Sequence, residues 1–232
     1  MKKGNVFRSN LFFIFFLFLV FLISCKKEEE IISKVTDIDG NEYHTVTIGT
    51  QVWMVENLNV THYRNGYPIP IFTNNTTWNN ISIGGYCNYE NNPNNSSIYG
   101  KLYNWYAVND IQNIAPIGWH IPTDAEWDTL ISFLGGKEVA GGKLKEAGFT
   151  HWFEPNKDAT NESGFTALPG GLRYSDGTFY CLGYQSFWWS STEYSHNSAM
   201  LRTINFLYGS IGSYTFGYAK NTGYSVRCLK DK

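Results

Sequence analysis

The chain has 232 residues, 18 basic and 20 acidic, for a formal charge of −2, with 8 Trp, 16 Tyr and 16 Phe. That length buries a core without help from disulfides, and no block of Lys and Arg marks a nucleic-acid surface. Trp and Tyr bury large areas while keeping a polar tip, which suits irregular cores and carbohydrate or peptide surfaces alike.

The N-terminus carries Lys2, Lys3 and Arg8, then an apolar run from Leu11 to Ile23, then Ser24-Cys25. This is the three-part layout of a secretory signal. The run is shorter than the roughly 20 residues that span a bilayer. Leu22-Ile23-Ser24-Cys25 resembles a bacterial lipobox, which implies cleavage after residue 24, acylation of Cys25 and a membrane partner reached through that lipid. The leader 1–24 holds three of the 18 basic residues and none of the 20 acidic ones, so the remainder is more acidic. Residues 25–34 read as a charged tether. Their Lys26-Lys27-Glu28-Glu29-Glu30 run resembles the signal that sends Bacteroidetes lipoproteins to the outer face of the outer membrane, so a surface-exposed location is expected.

Residues 35–232 are expected to form the domain. Val35–Asn41 and Tyr43–Ile48 flank an Asp-Gly turn, a hairpin pattern. Asp37, Asp39 and Asn41 fall short of an EF-hand, because Gly40 stands fourth where the loop needs glycine sixth. The Asn-crowded stretch 72–97 reads as a long loop with a short strand near Gly85-Tyr86-Cys87, followed by a short aromatic helix over 101–108. Thr123 and Glu126 form a capping box, and Trp127, Leu130, Ile131 and Leu134 recur at helical spacing until Gly135-Gly136. A helix of one to two turns is expected beyond Gly141-Gly142. Short strands follow, with a turn at Ser175–Thr178 and strands over 187–192, 199–206 and 224–229. The fold class is α+β.

Six ordered segments then carry a family resemblance. They are Asp39-Gly40 through Trp53–Leu58, Tyr99–Trp105, Gly118–Trp127, Gly164–Leu172, Trp188–Glu193 and Ser225–Cys228. The pattern resembles the Fibrobacter succinogenes major paralogous domain, found on surface lipoproteins and secreted proteins. That domain is similar to the formylglycine-generating (sulfatase-modifying) branch of the C-type lectin-like fold. The resemblance implies a twisted antiparallel sheet, two main helices and long loops. Members often carry a cysteine where Ala115 stands, which leaves the standard bridge to Cys228 in question and a Cys181–Cys228 pair open. The sequence does not fix the pairing of Cys87, Cys181 and Cys228.

The chemistry expected is binding. Formylglycine generation needs two close cysteines near the C-terminus, and Cys228 has no such neighbour. No catalytic residues are assigned, and no Cys/His cluster marks a metal site. Glu154, Asp158 and Glu162 share one loop and read as solvated charges or a hydrolase pair. Glu154-Pro155-Asn156 matches the triplet with which C-type lectins hold calcium and sugar; no other cofactor is expected. Trp152, Trp188 and Trp189, with Tyr180, Tyr184 and Tyr194, are candidates for an aromatic platform, although adjacent strand residues point to opposite faces. Arg173 and Arg227 are expected to partner buried oxygens, and His120 to make a structural hydrogen bond. The leading reading is a lipid-anchored module recognising a glycan or surface protein. The alternatives are an enzyme of unidentified chemistry on the sulfatase-modifying fold and a structural envelope component.

Overall fold

The computed structural model describes residue 1, residues 33–213 and residues 217–232. The chain divides into two units, residues 1–31 and 32–232. Residues 2–32, which hold the rest of the leader, Cys25 and most of the tether, lie outside the described residues.

The second unit is α+β, mostly antiparallel sheet with short helices. The first sheet joins the two ends of the domain. Strands β1 (Lys34–Thr36), β2 (Glu42–Ile48) and β3 (Gln51–Met54) form a meander. The Asp-Gly turn between β1 and β2 forms as expected. Asp37 holds it by accepting from the Asp39 and Asn41 amides at 2.9 Å each.

In the Asn-rich stretch the expected loop is replaced by two short helices, α1 (Asn75–Asn79) and α2 (Pro93–Tyr99), around the short strand β4 (Tyr86–Cys87). Asn74 and Asn92 supply the reason: each caps a helix by accepting an amide, Thr77 and Asn94 respectively. Asparagine here starts helices instead of disrupting them.

The expected helix over 101–108 is likewise split into β5 (Leu102–Tyr103), paired with β4, and α3 (Trp105–Val108). Tyr103 exchanges backbone hydrogen bonds with Tyr224 at 2.9 and 3.0 Å, and that distant pairing holds residue 103 extended. Asn104 then caps α3.

Strand β6 (Trp119–His120) leads into α4 (Asp124–Phe133), where both halves of the Thr123/Glu126 capping box are present. His120 makes the expected structural bonds, to Glu126 at 3.0 Å and Asp231 at 2.6 Å. Helix α5 (Lys137–Leu144) runs through Gly141-Gly142 instead of starting after them. A Cβ on Gly141 would run into the Ser210 carbonyl, and one on Gly142 into that of Asp158. The two glycines let a helix lie against loop backbone, which offsets their poor propensity.

Strands β7 (Gly170–Arg173) and β8 (Phe179–Leu182) form a hairpin around the expected Ser175–Thr178 turn. The long hairpin β9 (Gln185–Ser195) and β10 (Ser198–Asn205) follows, with β11 (Ile211–Ser213) and β12 (Tyr218–Ala219) paired to β10. Strand β13 (Leu229–Lys230) returns between β3 and β6 and completes the order β1-β2-β3-β13-β6.

Strand β9 separates two hydrophobic clusters. Trp189 enters one with Met54, Leu58, Tyr103 and Tyr224, and Trp188 the other with Trp53, Trp127 and Phe165. The alternation of a strand thus holds, but both of its faces are covered.

Candidate functional site

Trp152, Trp188 and Trp189 are 1%, 0% and 0% exposed, so none of them offers a face to a ligand. Their indole N–H groups donate to Ala167 O, Asn57 Oδ1 and Tyr103 O at 2.8–2.9 Å. Burial with a satisfied N–H is the lower-energy placement for so large an apolar ring, and the expected Trp platform is corrected on that ground. Tyr180, Tyr184 and Tyr194 are exposed.

The residues that carry the family pattern meet inside the protein. Asn57 Oδ1 accepts from Trp188 and from Nε and Nη2 of Arg227, while its Nδ2 donates to Tyr99 O. Arg227 also donates to the Met54 and Phe165 carbonyls and lies over the Phe165 ring at 4.3 Å. Arg173 plays a parallel part, donating to Phe72 O, Thr73 O and Gly177 O between the rings of Trp78 and Phe179. Both arginines therefore partner buried carbonyls, as expected.

Glu154 is exposed, whereas Asn156 turns inward and is 5% exposed. Its Nδ2 donates to Glu146 O and Gly148 O, fixing the loop, while its Oδ1 has no partner among the described residues. Cys87, Cys181 and Cys228 are free thiols, so the Cys181–Cys228 pair is not formed. The two belong to different sheets: Cys181 lies in β8 against β7, and Cys228 directly precedes β13.

The exposed aromatic surface keeps the expected Tyr184 and has Phe153 in place of Trp152. Phe153 packs on Tyr184 with centroids 4.6 Å apart, and Tyr184 meets Phe206 edge-on at 5.2 Å. Phe153 is 53% exposed and Tyr184 45%, and Leu207 and Tyr208 in the turn after β10 are also exposed. Three segments are tied together beneath these rings. The Phe153 amide donates to Gly183 O, Phe206 N to Tyr184 O, and Lys157 N to Phe206 O, at 2.8–3.0 Å. Gly183 has φ +80°, and a Cβ there would strike the Phe153 ring, so glycine is what lets the ring lie down on the turn.

Lys145, at the end of α5, is fully buried and locks the base of this shelf. Its ammonium donates to the carbonyls of Lys157 (2.7 Å), Tyr208 (3.0 Å) and Asn205 (3.3 Å). Burial pulls its pKa down to about 8, against the opposing pull of Asp158.

The thiols are displaced in the unreactive direction. Burial pushes Cys87 up to about 12, against the Arg173 guanidinium, and raises Cys228 as well. Burial likewise raises Tyr43, helped by its bond to Asp37, and Tyr103. Acids whose folded pKa is raised bind more protons folded than unfolded above their ordinary values, so the stability these groups contribute falls as pH rises from about 9. Between pH 8 and pH 10.5 this loss runs against a gain from Lys145 and Arg227, whose folded pKa values burial lowers to about 8 and about 9, so Cys87→Ala should make the urea midpoint fall less, or rise more, over that range than it does in the parent. Identical slopes in the two proteins would remove Cys87 from the account.

Compared with known proteins, the chain matches the family model described as Fibrobacter succinogenes major domain over residues 46–230. No curated protein and no solved structure matches.

Proposed function

The chain belongs to the Fibrobacter succinogenes major domain family, and from that premise we propose that it is a lipid-anchored envelope protein whose domain binds carbohydrate on the Phe153–Tyr184–Phe206 shelf. The observation that carries this reading is the contact of two exposed rings, Phe153 and Tyr184, with the half-buried Phe206 beside them on a braced base. Clustered apolar exposure on a soluble face marks an interaction surface more often than a scatter of single residues does. Flat rings lie against the C–H faces of sugars, and the Tyr184 and Tyr208 hydroxyls add polar edges of the kind that orient a ligand. The exposed carboxylate of Glu154 stands next to Phe153 in the chain, where it can accept from sugar hydroxyls. Bracing by Lys145 limits the ordering cost on binding.

The test is a glycan array with the full-length chain in detergent, with and without calcium, repeated with Phe153→Ala and Tyr184→Ala. Both rings are about half exposed, so truncation should spare the fold. Each variant should lose about tenfold or more in affinity, a central contact's share. Retained affinity in both variants would move the ligand elsewhere. A response to calcium would bring Glu154 and Asn156 into the site.

A further inference from the structure

A second recess lies on the other side of the sequence pattern, between the β1–β2 turn and the loop that precedes β6. It encloses about 190 Å³ and is lined by Ile38, Val60, Ile114 and Ile117 together with Asp37 and Arg64. Val60 and Ile114 form a buried floor, while Ile38 and Ile117 stand 50% and 82% exposed at the rim. Two large aliphatic side chains left in water beside an apolar cleft are surface that an apolar group would cover.

The polar groups decide what kind of ligand fits. Asp37 is 8% exposed, and its carboxylate is fully engaged: Oδ1 takes the Asp39 and Asn41 amides, and Oδ2 takes Asn41 Nδ2 and the Tyr43 hydroxyl. Its charge is answered on the protein's own side by Lys101, which feels both Asp37 and Asp39. Arg64 is different. Its Nε donates to Ala115 O at 3.0 Å, and its Nη2 to Pro116 O and Trp119 O at 2.8 Å, which fixes the guanidinium plane. Nη1 has no hydrogen-bond partner among the described residues, and no carboxylate pairs with this cation there. An oriented, half-buried guanidinium with a donor to spare, set in an aliphatic slot, is complementary to an anion carried on an apolar body.

Size narrows the class further. A cavity of about 150 Å³ holds one benzene-sized group, and drug-sized ligands need about 300 Å³ or more. A recess of 190 Å³ therefore takes one branched side chain's worth of carbon next to the anion. We propose that this cleft binds the carboxylate end of a short aliphatic group, as presented by a peptide ending in Leu or Ile or by a free branched-chain acid, with Arg64 reading the carboxylate and Ile38, Ile114 and Ile117 holding the chain. This site is separate from the aromatic shelf and does not depend on the carbohydrate reading.

Isothermal titration of the full-length chain in detergent with N-acetyl-glycyl-leucine, its C-terminal amide and isovalerate tests it. The free acid should bind at least tenfold more tightly than the amide. Isovalerate binding as well as the peptide acid assigns the site to free acids, and weaker binding assigns it to peptide ends. Ile117→Glu, at a rim position whose exposure leaves the fold untouched, should abolish binding of the acid, and Arg64→Gln should erase the preference for acid over amide. Equal binding of acid and amide, unchanged affinity in Ile117→Glu, or no binding of either acid at 10 mM, each overturns the proposal.

Discussion

Arg227→Met is expected to destabilise the domain by about 3 kcal/mol or more, a large share of the roughly 5–15 kcal/mol that separates a folded domain from its unfolded chain. The guanidinium is 1% exposed and makes four donor contacts, two to Asn57 Oδ1 and one each to the Met54 and Phe165 carbonyls. Methionine fills much of the volume but donates nothing. Each buried acceptor stripped of its partner costs about 1–3 kcal/mol, and loss of the stacked cation about a further 1 kcal/mol. One term opposes this. Burial pulls the Arg227 pKa down to about 9, so the charge is held at a cost that methionine removes. The opposing term is smaller, because the partners left behind include fixed main-chain oxygens on β3 and on the loop before β7, besides the buried Asn57 Oδ1. Urea unfolding of the two proteins at pH 7 checks the sum. A loss below about 1 kcal/mol would mean that the neighbouring backbone relaxes to pair these oxygens otherwise.

The second large effect concerns location. Cys25→Ala should move the protein out of the membrane fraction, because the membrane affinity assigned to it rests on acyl chains at about 0.8 kcal/mol per buried CH₂. One chain anchors only marginally and two hold stably, so loss of the acylated residue is close to all-or-none. Among the described residues no helix is long and apolar enough to cross a membrane. Fractionation of cells expressing the variant, with labelled palmitate incorporation as a second readout, gives the answer. A variant that stays membrane-bound at its normal processed size would remove the lipobox.

The parts of the fold legible in advance are those set by neighbours a few residues apart. The Asp37–Asn41 turn, the Thr123/Glu126 box and the Ser175–Thr178 turn each close through side-chain or backbone bonds spanning two to four positions. Such bonds leave a recognisable spacing in the chain. Misreadings came where a distant segment outbid the local pattern. Residues 101–108 look helical until Tyr224 pairs with Tyr103, and Gly141-Gly142 look like a break until the Ser210 and Asp158 backbones are seen against them.

The candidate site divides in the same way. The neighbourhood of Trp152 and Glu154 was legible from composition, and exposed rings do stand there, Phe153 and Tyr184. Of the rings expected there the tyrosines are exposed and the tryptophans are buried, because a large ring goes inward wherever another part of the chain packs over it. At Trp188-Trp189 a layer exists on both sides. The Arg64 cleft left no signal in the sequence, since its walls come from segments more than fifty positions apart, the Arg64–Ala115 bond among them.

By itself the sequence determined the α+β class and the family, since composition, short spacings and ordered motifs are properties of the chain. The tertiary structure alone decided that Asn57, Trp188 and Arg227 meet in one buried cluster. Asn57 and Arg227 are 170 positions apart, and only folding brings a donor and an acceptor together over that separation and removes both from water. The Phe153 shelf and the Ile38–Ile117 rim are among the apolar surfaces that this burial leaves in water, because no layer of the fold packs over them.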